Sequence, residues 1–388
     1  MSATTSGATT SSWDRSPAEF DFRSDTFTTP TRSMLASIGS INLGDDVYSE
    51  CTTTQSLESR IASLLDKPSA LFVLSGTMGN QLAMRALLVQ PPHSILLDSR
   101  SHIQLHEAGG IASLSQAVTV PVPPSNGKYL TLEDVQKHVI LGNDVHFAPT
   151  RVISLENTIN GVIMPVEEVR RIGQWAKAEG IKVHLDGARL WNACSVPEPS
   201  AELLSEYAKH VDSLSVCFSK SLGAPVGSCM AADERTVASA RHMRKAIGGG
   251  IRQAGILTAM ARVGLEEVFF GGKLARANAF AKSLEEEWIK LGGSVTLPVD
   301  TNMLWLDLRA RGIDDAVWKG AIEEVGGVRM WGDRIVCHYQ NSQEAVEKVK
   351  MVMRIACKAA DEKRANGLEN RDGKDGKKVG ERTYGQSN

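Results

Sequence analysis

The sequence predicts an α/β fold: a large unit on a mostly parallel sheet, followed by a smaller α+β unit. Three observations carry that reading. Strand-like apolar runs alternate with helix-period segments between about residues 70 and 231, the pattern of a parallel sheet with helices on both faces. After about residue 267 a long helical stretch is followed by short apolar runs and a closing helix. A chain of 388 residues can also bury a core large enough for an enzyme of two packed domains.

The elements follow in order. Residues 1–17 are small and polar and are expected to be a disordered tail. Strands are expected at 70–74, 94–97, 117–122, 152–155, 181–185, 213–218 and 227–231, with helices at 79–89, 132–140 and 166–179. Thr131 followed by Asp134 reads as an N-cap with an acidic first turn, and Gly180 as a helix C-cap. Beyond residue 267, extended runs at 303–308, 328–330 and 334–338 precede a helix from Ser342. The tail 361–388 lacks apolar periodicity and is expected to be disordered. The domains are thus a cofactor-binding large domain with an N-terminal arm, 18–267, and a small C-terminal domain, 268–360. No internal repeat is evident.

Composition excludes several function classes. The net charge is −2, which offers nothing to nucleic acid or an anionic membrane. The six cysteines are scattered without C-x-x-C spacing, as expected of reduced thiols in the cytoplasm. No apolar run is long enough to span a bilayer, and the N-terminus lacks the apolar stretch of a secretory signal.

The chemistry is concentrated in Cys217-Phe218-Ser219-Lys220-Ser221-Leu222-Gly223-Ala224-Pro225-Val226-Gly227-Ser228. An apolar strand delivers Lys220 into a Gly/Pro-rich loop, a placement suited to an amine nucleophile rather than a solvated surface lysine. Upstream, Asp186 ends the strand in His184-Leu185-Asp186-Gly187-Ala188-Arg189. Alone, each is an ordinary polar strand end or turn. Together they form the layout for pyridoxal 5'-phosphate, in which the lysine holds the aldehyde and the aspartate keeps the pyridine nitrogen protonated.

Three further segments complete the pattern. Ser75-Gly76-Thr77 enters a helix and leaves backbone N–H groups for a phosphate. It is neither G-x-G-x-x-G nor a Walker loop, which disfavours dinucleotides and nucleoside triphosphates. His102 and His106 are four residues apart and could share a helix face. No third ligand and no H-E-x-x-H glutamate accompany them, so no metal is expected. A flat imidazole stacked on a flat cofactor ring suits His102 better. Gly248-Gly249-Gly250-Ile251-Arg252, preceded by Arg244 and Lys245, reads either as a solvated loop or as a cationic phosphate clamp reaching a neighbouring subunit.

With these segments in hand, the chain resembles the threonine aldolase family of pyridoxal phosphate enzymes, in particular its fungal members, over about residues 20–355. The resemblance rests also on Asp21-Phe22-Arg23-Ser24-Asp25-Thr26, Gly44-Asp45-Asp46-Val47-Tyr48, Glu107-Ala108-Gly109-Gly110 and Ser154-Leu155-Glu156-Asn157-Thr158. It implies the fold-type-I, aminotransferase-like architecture, with active sites shared in a homodimer or homotetramer. By motif it implies Lys220 as the cofactor lysine, Asp186 as the pyridine partner and His102 stacked on the ring. Gly76 and Thr77 would bind the phosphate, helped by Arg252 and Lys245 from a partner subunit. Ser24, Arg189 and Arg334 would hold the substrate carboxylate, for which an arginine fork is apt. His146 would lie near the substrate hydroxyl.

The implied reaction is cleavage of L-threonine or L-allo-threonine to glycine and an aldehyde, with His102 or His146 as the base for the β-hydroxyl proton. One departure bears on it. Where the family commonly has Gly-Glu-Asp after the tyrosine, this chain has Ser49-Glu50-Cys51 and then three threonines, in a loop expected near the substrate. That keeps open an alternative, an amino acid racemase acting on alanine in fungal secondary metabolism, with Lys220 serving one face and a histidine or water the other. A cofactor-free binding protein is a third reading, against which the complete Lys, Asp, His and Arg set argues.

Overall fold

The computed structural model describes residues 11, 13, 15–142 and 144–365. A seven-stranded sheet runs in the order β1-β7-β6-β5-β4-β2-β3. Its strands are β1 (Ser69–Val73), β2 (Ser94–Asp98), β3 (Val118–Val122), β4 (Thr150–Glu156), β5 (Lys182–Gly187), β6 (Ser213–Cys217) and β7 (Ser228–Ala232). The run β6-β5-β4-β2-β3 is parallel throughout, and β7 pairs antiparallel with both β1 and β6. Every residue of β2, β6 and β7 is buried, as strands covered on both faces require.

Alternation along β1 shows the two layers. Ala70 and Phe72 join a core with Leu57, Ile61, Leu185 and Phe218. Leu71 and Val73 point the other way, into a core with Leu82, Ile95, Leu97 and Met230. The parallel strands therefore end along one edge, at Glu156, Gly187 and Cys217, which is where open α/β sheets place their ligands.

The C-terminal part packs β8 (Met303–Trp305) antiparallel to β9 (Arg334–Val336). Helices Lys273–Lys290, Asp315–Val325 and Gln343–Ala365 cover a separate core around Trp288, Trp318, Leu304, Ile335 and Met353, into which Phe22 of the N-terminal arm inserts. The extended run expected at 328–330 joins no strand of the small sheet and forms only the single bridge of Arg329 to Asp21. Those residues pair with the arm instead, through Phe22 N–H to Arg329 O at 2.8 Å and Arg329 N–H to Phe20 O at 2.9 Å.

The disordered tails expected over 1–17 and 361–388 lie outside the described residues except at their inner ends, which are ordered. Ser16 donates to Gln340 Oε1 at 2.8 Å. The closing helix carries past residue 360 to Ala365, with Arg311 forking onto Asp361 at 2.8 Å. All six cysteines are free and buried. Among the described residues no helix is long and apolar enough to cross a membrane.

Candidate active site

Lys220 follows β6 in a loop that the backbone fixes at several points. Phe218 N–H donates to Gly227 O at 2.9 Å, Gly223 N–H to Lys220 O at 3.0 Å, and the Thr28 hydroxyl to Lys220 O at 2.6 Å. Gly223 has φ +78°, and a Cβ there would stand 2.4 Å from the Tyr339 hydroxyl, so both conformation and space demand glycine. Lys220 is half-buried.

Asp186 lies near the end of β5 and is buried. Its Oδ1 accepts from Ala188 N–H at 3.0 Å and its Oδ2 from Asn80 Nδ2 at 2.7 Å. Beside it, Glu156 of β4 accepts the His102 backbone N–H at 2.7 Å. Burial, then the neighbouring Asp186 charge, push the Glu156 carboxyl up to about 8. His102 opens a short helix and bonds through Nδ1 to Glu107 Oε1 at 2.8 Å. Burial pulls the imidazole down, but the Glu107 bond and the charges of Asp186 and Glu107 outweigh it and raise its pKa.

The substrate-side residues are only partly as expected. Arg189 forks onto buried Asp25, with Nε to Oδ2 at 2.8 Å and Nη2 to Oδ1 at 2.5 Å, and the Ser221 hydroxyl donates to Asp25 Oδ2 at 2.7 Å. Burial raises the Asp25 carboxyl, yet Arg189, Ser221 and Lys220 hold it well below the usual range. Arg189 thus commits two donors to an internal carboxylate, which the sequence did not indicate. Ser24 is buried and accepts from Thr26 N–H at 3.2 Å. Arg334 of β9 is buried, 5.7 Å from the Trp305 ring centroid. Its charge is felt by His106, whose imidazole is pushed down by burial, His102 and Arg334.

Ser75 caps the helix Gly76–Leu87 by accepting from Met78 N–H. A Cβ on Gly76 would meet only the Ser228 hydroxyl, at 3.8 Å, and one on Gly79 would come within 2.8 Å of the Ser215 hydroxyl. Both hydroxyls are buried without a hydrogen-bond partner among the described residues. The Ser228 hydroxyl by the helix N-terminus and the Ser215 hydroxyl beneath its first turn, with Asp186 and Lys220 at neighbouring strand ends and His102 opening a helix beside them, fit the phosphate and ring of the expected cofactor. Ser215 and Ser228 were not anticipated; their signal is a serine within each of two small-residue strands.

Other expectations are not met within one protomer. His146 stands outside this network, with its side chain 81% exposed and bonded to Asp144 at 2.7 Å. It sits on an exposed loop between Val145 and Phe147, which are themselves exposed. Arg252 is half-exposed and pairs with Asp45 at 2.8 Å. Lys245 lies alongside, its Cδ 3.1 Å from a Cβ placed on Gly250. The Ser49–Thr54 departure also reads differently. Cys51 is buried and would lie 3.3 Å from a Cβ on Gly255, while Thr54 meets Thr258 at 3.2 Å. Those residues pack a helix–helix contact, because a small thiol and a methyl-bearing hydroxyl suit a close approach, instead of facing the Lys220 site. His102, Glu107 and Asp186 offer atoms within 4.8 Å of one another that could hold a cation. Both carboxylates, however, already accept amide N–H groups, and the His102 nitrogen is turned onto Glu107.

Comparison with known proteins agrees with this geometry. The family described as Beta-eliminating lyase matches residues 21–311. A low-specificity L-threonine aldolase of Candida albicans is 48% identical, over 85% of this chain and 88% of its own. An alanine racemase of Cochliobolus carbonum, TOXG, is 44% identical over 88% of each chain. The solved structure of Leishmania major threonine aldolase is 21% identical with a TM-score of 0.73, covering 87% of this chain and 99% of that one. The last of these establishes the fold, which is the fold-type-I architecture the sequence led us to expect.

Proposed function

This chain belongs to the beta-eliminating lyase family, in its threonine aldolase branch, and from that premise we propose that it is a pyridoxal 5'-phosphate-dependent aldehyde-lyase cleaving L-threonine and L-allo-threonine to glycine and an aldehyde. The observation that carries the reading is the gathering of Asp186 and Glu156 at strand ends with His102 and Lys220, next to a helix whose first turn is faced by two orphaned hydroxyls.

The bound cofactor supplies an electron sink for the charge left on the substrate Cα when the Cα–Cβ bond breaks. The chain's own residues do the rest. Lys220 would hold the cofactor covalently, and Asp186 would face its ring nitrogen. His102 would lie against the cofactor ring and would take the β-hydroxyl proton, a task suited to an imidazole. Gly76 and Thr77, with Ser215 and Ser228, hold the phosphate. Arg334 and Arg189, with Ser24, orient the substrate carboxylate. Exposed His146, Arg252 and Lys245 serve a neighbouring subunit's site in a homodimer or homotetramer. The protein acts in the cytoplasm, where its buried cysteines stay reduced.

A second reading, amino acid racemization, is favoured by one observation, the 44% identity to an alanine racemase. Incubation of the holoenzyme with L-threonine and, separately, L-alanine in deuterated water decides between them. Aldehyde and glycine release from threonine is expected. Deuterated D-alanine with no aldehyde would replace the aldolase reading with the racemase one.

A further inference from the structure

We infer that Glu107 and Asn80 are positioning residues that join His102 and Asp186 into one hydrogen-bonded unit and hold His102 in its Nδ1–H form. The inference rests on the site assigned above, and the argument is one of donors and acceptors. The Asn80 amide has two N–H bonds to give. It donates to Glu107 Oε1 at 2.9 Å and to Asp186 Oδ2 at 2.7 Å. Its carbonyl accepts from His184 Nε2 at 3.1 Å, and His184 Nδ1 then accepts from the Ser213 hydroxyl at 2.8 Å. Asn80, Glu107 and His184 are all buried. Burial drives His184 down to about 4, so it is a neutral single donor. Every bond in the chain therefore has a fixed direction, and a flipped Asn80 amide would set its carbonyl against two carboxylates.

Glu107 is the acceptor on which this chain ends. Its Oε2 takes Gln81 Nε2 at 2.7 Å, and its Oε1 takes Asn80 Nδ2 and faces His102 Nδ1 at 2.8 Å. Asn80 and Gln81 present N–H groups to Glu107, so both of its oxygens act as acceptors toward them. Three polar hydrogens converging on it are matched by a carboxylate, whose oxygens only accept. It cannot donate to His102, so His102 Nδ1 carries the hydrogen and Nε2 is left as the working nitrogen. The other charged or titratable groups facing His102 are His106 on its own helix, Glu156 of β4, Asp186 of β5 and Lys220 after β6. A glutamine at 107 cannot replace the carboxylate, because its amide hydrogens would oppose one of three converging donors.

The test begins with the apoenzyme labelled with 15N-histidine, with the His102 resonances identified by comparison with His102→Phe. The neutral wild-type ring should be the Nδ1–H tautomer. In Glu107→Gln the titration midpoint should fall by about one unit or more, since each unit is a tenfold change in proton affinity. In the holoenzyme, the acid limb of kcat/KM for L-threonine should move to lower pH in the same variant. An Nε2–H wild-type ring overturns the inference whether or not any variant folds. So does a midpoint, or an acid limb, that stays put in Glu107→Gln. Absence of glycine release from threonine, with the tautomer and midpoint as expected, would instead sink the aldolase reading and leave the hydrogen-bonded unit standing.

Discussion

Glu156 ends β4 with its Cα in register with that of Asp186 on β5, so two carboxylates stand side by side at the ligand-binding edge of the sheet. Adjacent strands point registered side chains to the same face, and like charges so close disfavour double ionisation. Asp186 accepts two N–H bonds, and burial and then the neighbouring Asp186 raise the Glu156 carboxyl to about 8.

The consequence for stability has a definite sign. The folded Glu156 carboxyl lies above its ordinary value of 4.5. Below that value folded and unfolded states are both neutral, and nothing is lost. As pH rises from 4.5 towards 8 the unfolded state ionises while the folded state resists, so wild type loses stability across that window. Glu156→Gln, which cannot ionise, should therefore gain in melting temperature relative to wild type as pH is raised from 4.5 to 8, by several degrees at the upper end. A thermal scan of both holoenzymes at pH 4.5 and pH 8 checks this. A Tm difference that does not change with pH would place Glu156 outside the pair.

Lys220 should be the sole site of covalent cofactor attachment. Its loop is clamped by Thr28 and closed by Gly223 against Tyr339, which fixes where the amine can reach. Borohydride treatment of wild type should leave a reduced adduct on the peptide containing Lys220, and Lys220→Ala should leave none. An adduct mapping to another lysine in wild type would remove the assignment.

Asp186→Asn keeps the shape and removes the charge. The Ala188 and Asn80 donors would then face a neutral amide, and the ring nitrogen would lose its counter-ion. Preorganised electrostatic groups of this kind are worth about 3–4 kcal/mol, so kcat for L-threonine should fall by about a hundredfold or more. Turnover within tenfold of wild type would reject the role.

Some of this was legible in the sequence and some could not be. Lys220 and Asp186 stand out because a polar residue at the end of an apolar strand has a position as well as an identity. The mostly parallel sheet followed from alternation alone. Asn80, Glu107 and Asp25 did not stand out, because their meaning depends on long-range approach: Asn80 bonds to a carboxylate 106 residues away, and Asp25 to an arginine 164 residues away. The helix Thr52–Leu64 was missed because its first turn is three threonines, which mask the apolar spacing of Leu57, Ile61 and Leu64. Residues 328–330 are extended as expected, but the N-terminal arm, not the small sheet, completes their hydrogen bonds. His146 came from motif likeness alone, and within one protomer its ring meets only Asp144 among the described residues.

Arg252 gives the sharpest test of shared sites. In one protomer it follows three glycines, pairs with Asp45 and lies 5.9 Å from the exposed Tyr48 ring. The backbone there is anchored by Asp46 N–H to Arg252 O at 2.8 Å. The cation is thus held at the surface while its neighbour Ile251 packs against the core that contains Leu57 and Leu185. Exposed ion pairs of this kind add little to stability, so Arg252→Ala should leave the protomer folded while weakening cofactor affinity about tenfold or more. Mixing inactive Lys220→Ala subunits with Arg252→Ala subunits should then restore part of the activity, because one hybrid site would hold both Lys220 and Arg252. If mixed oligomers form and activity does not return, Arg252 serves its own protomer's site or none.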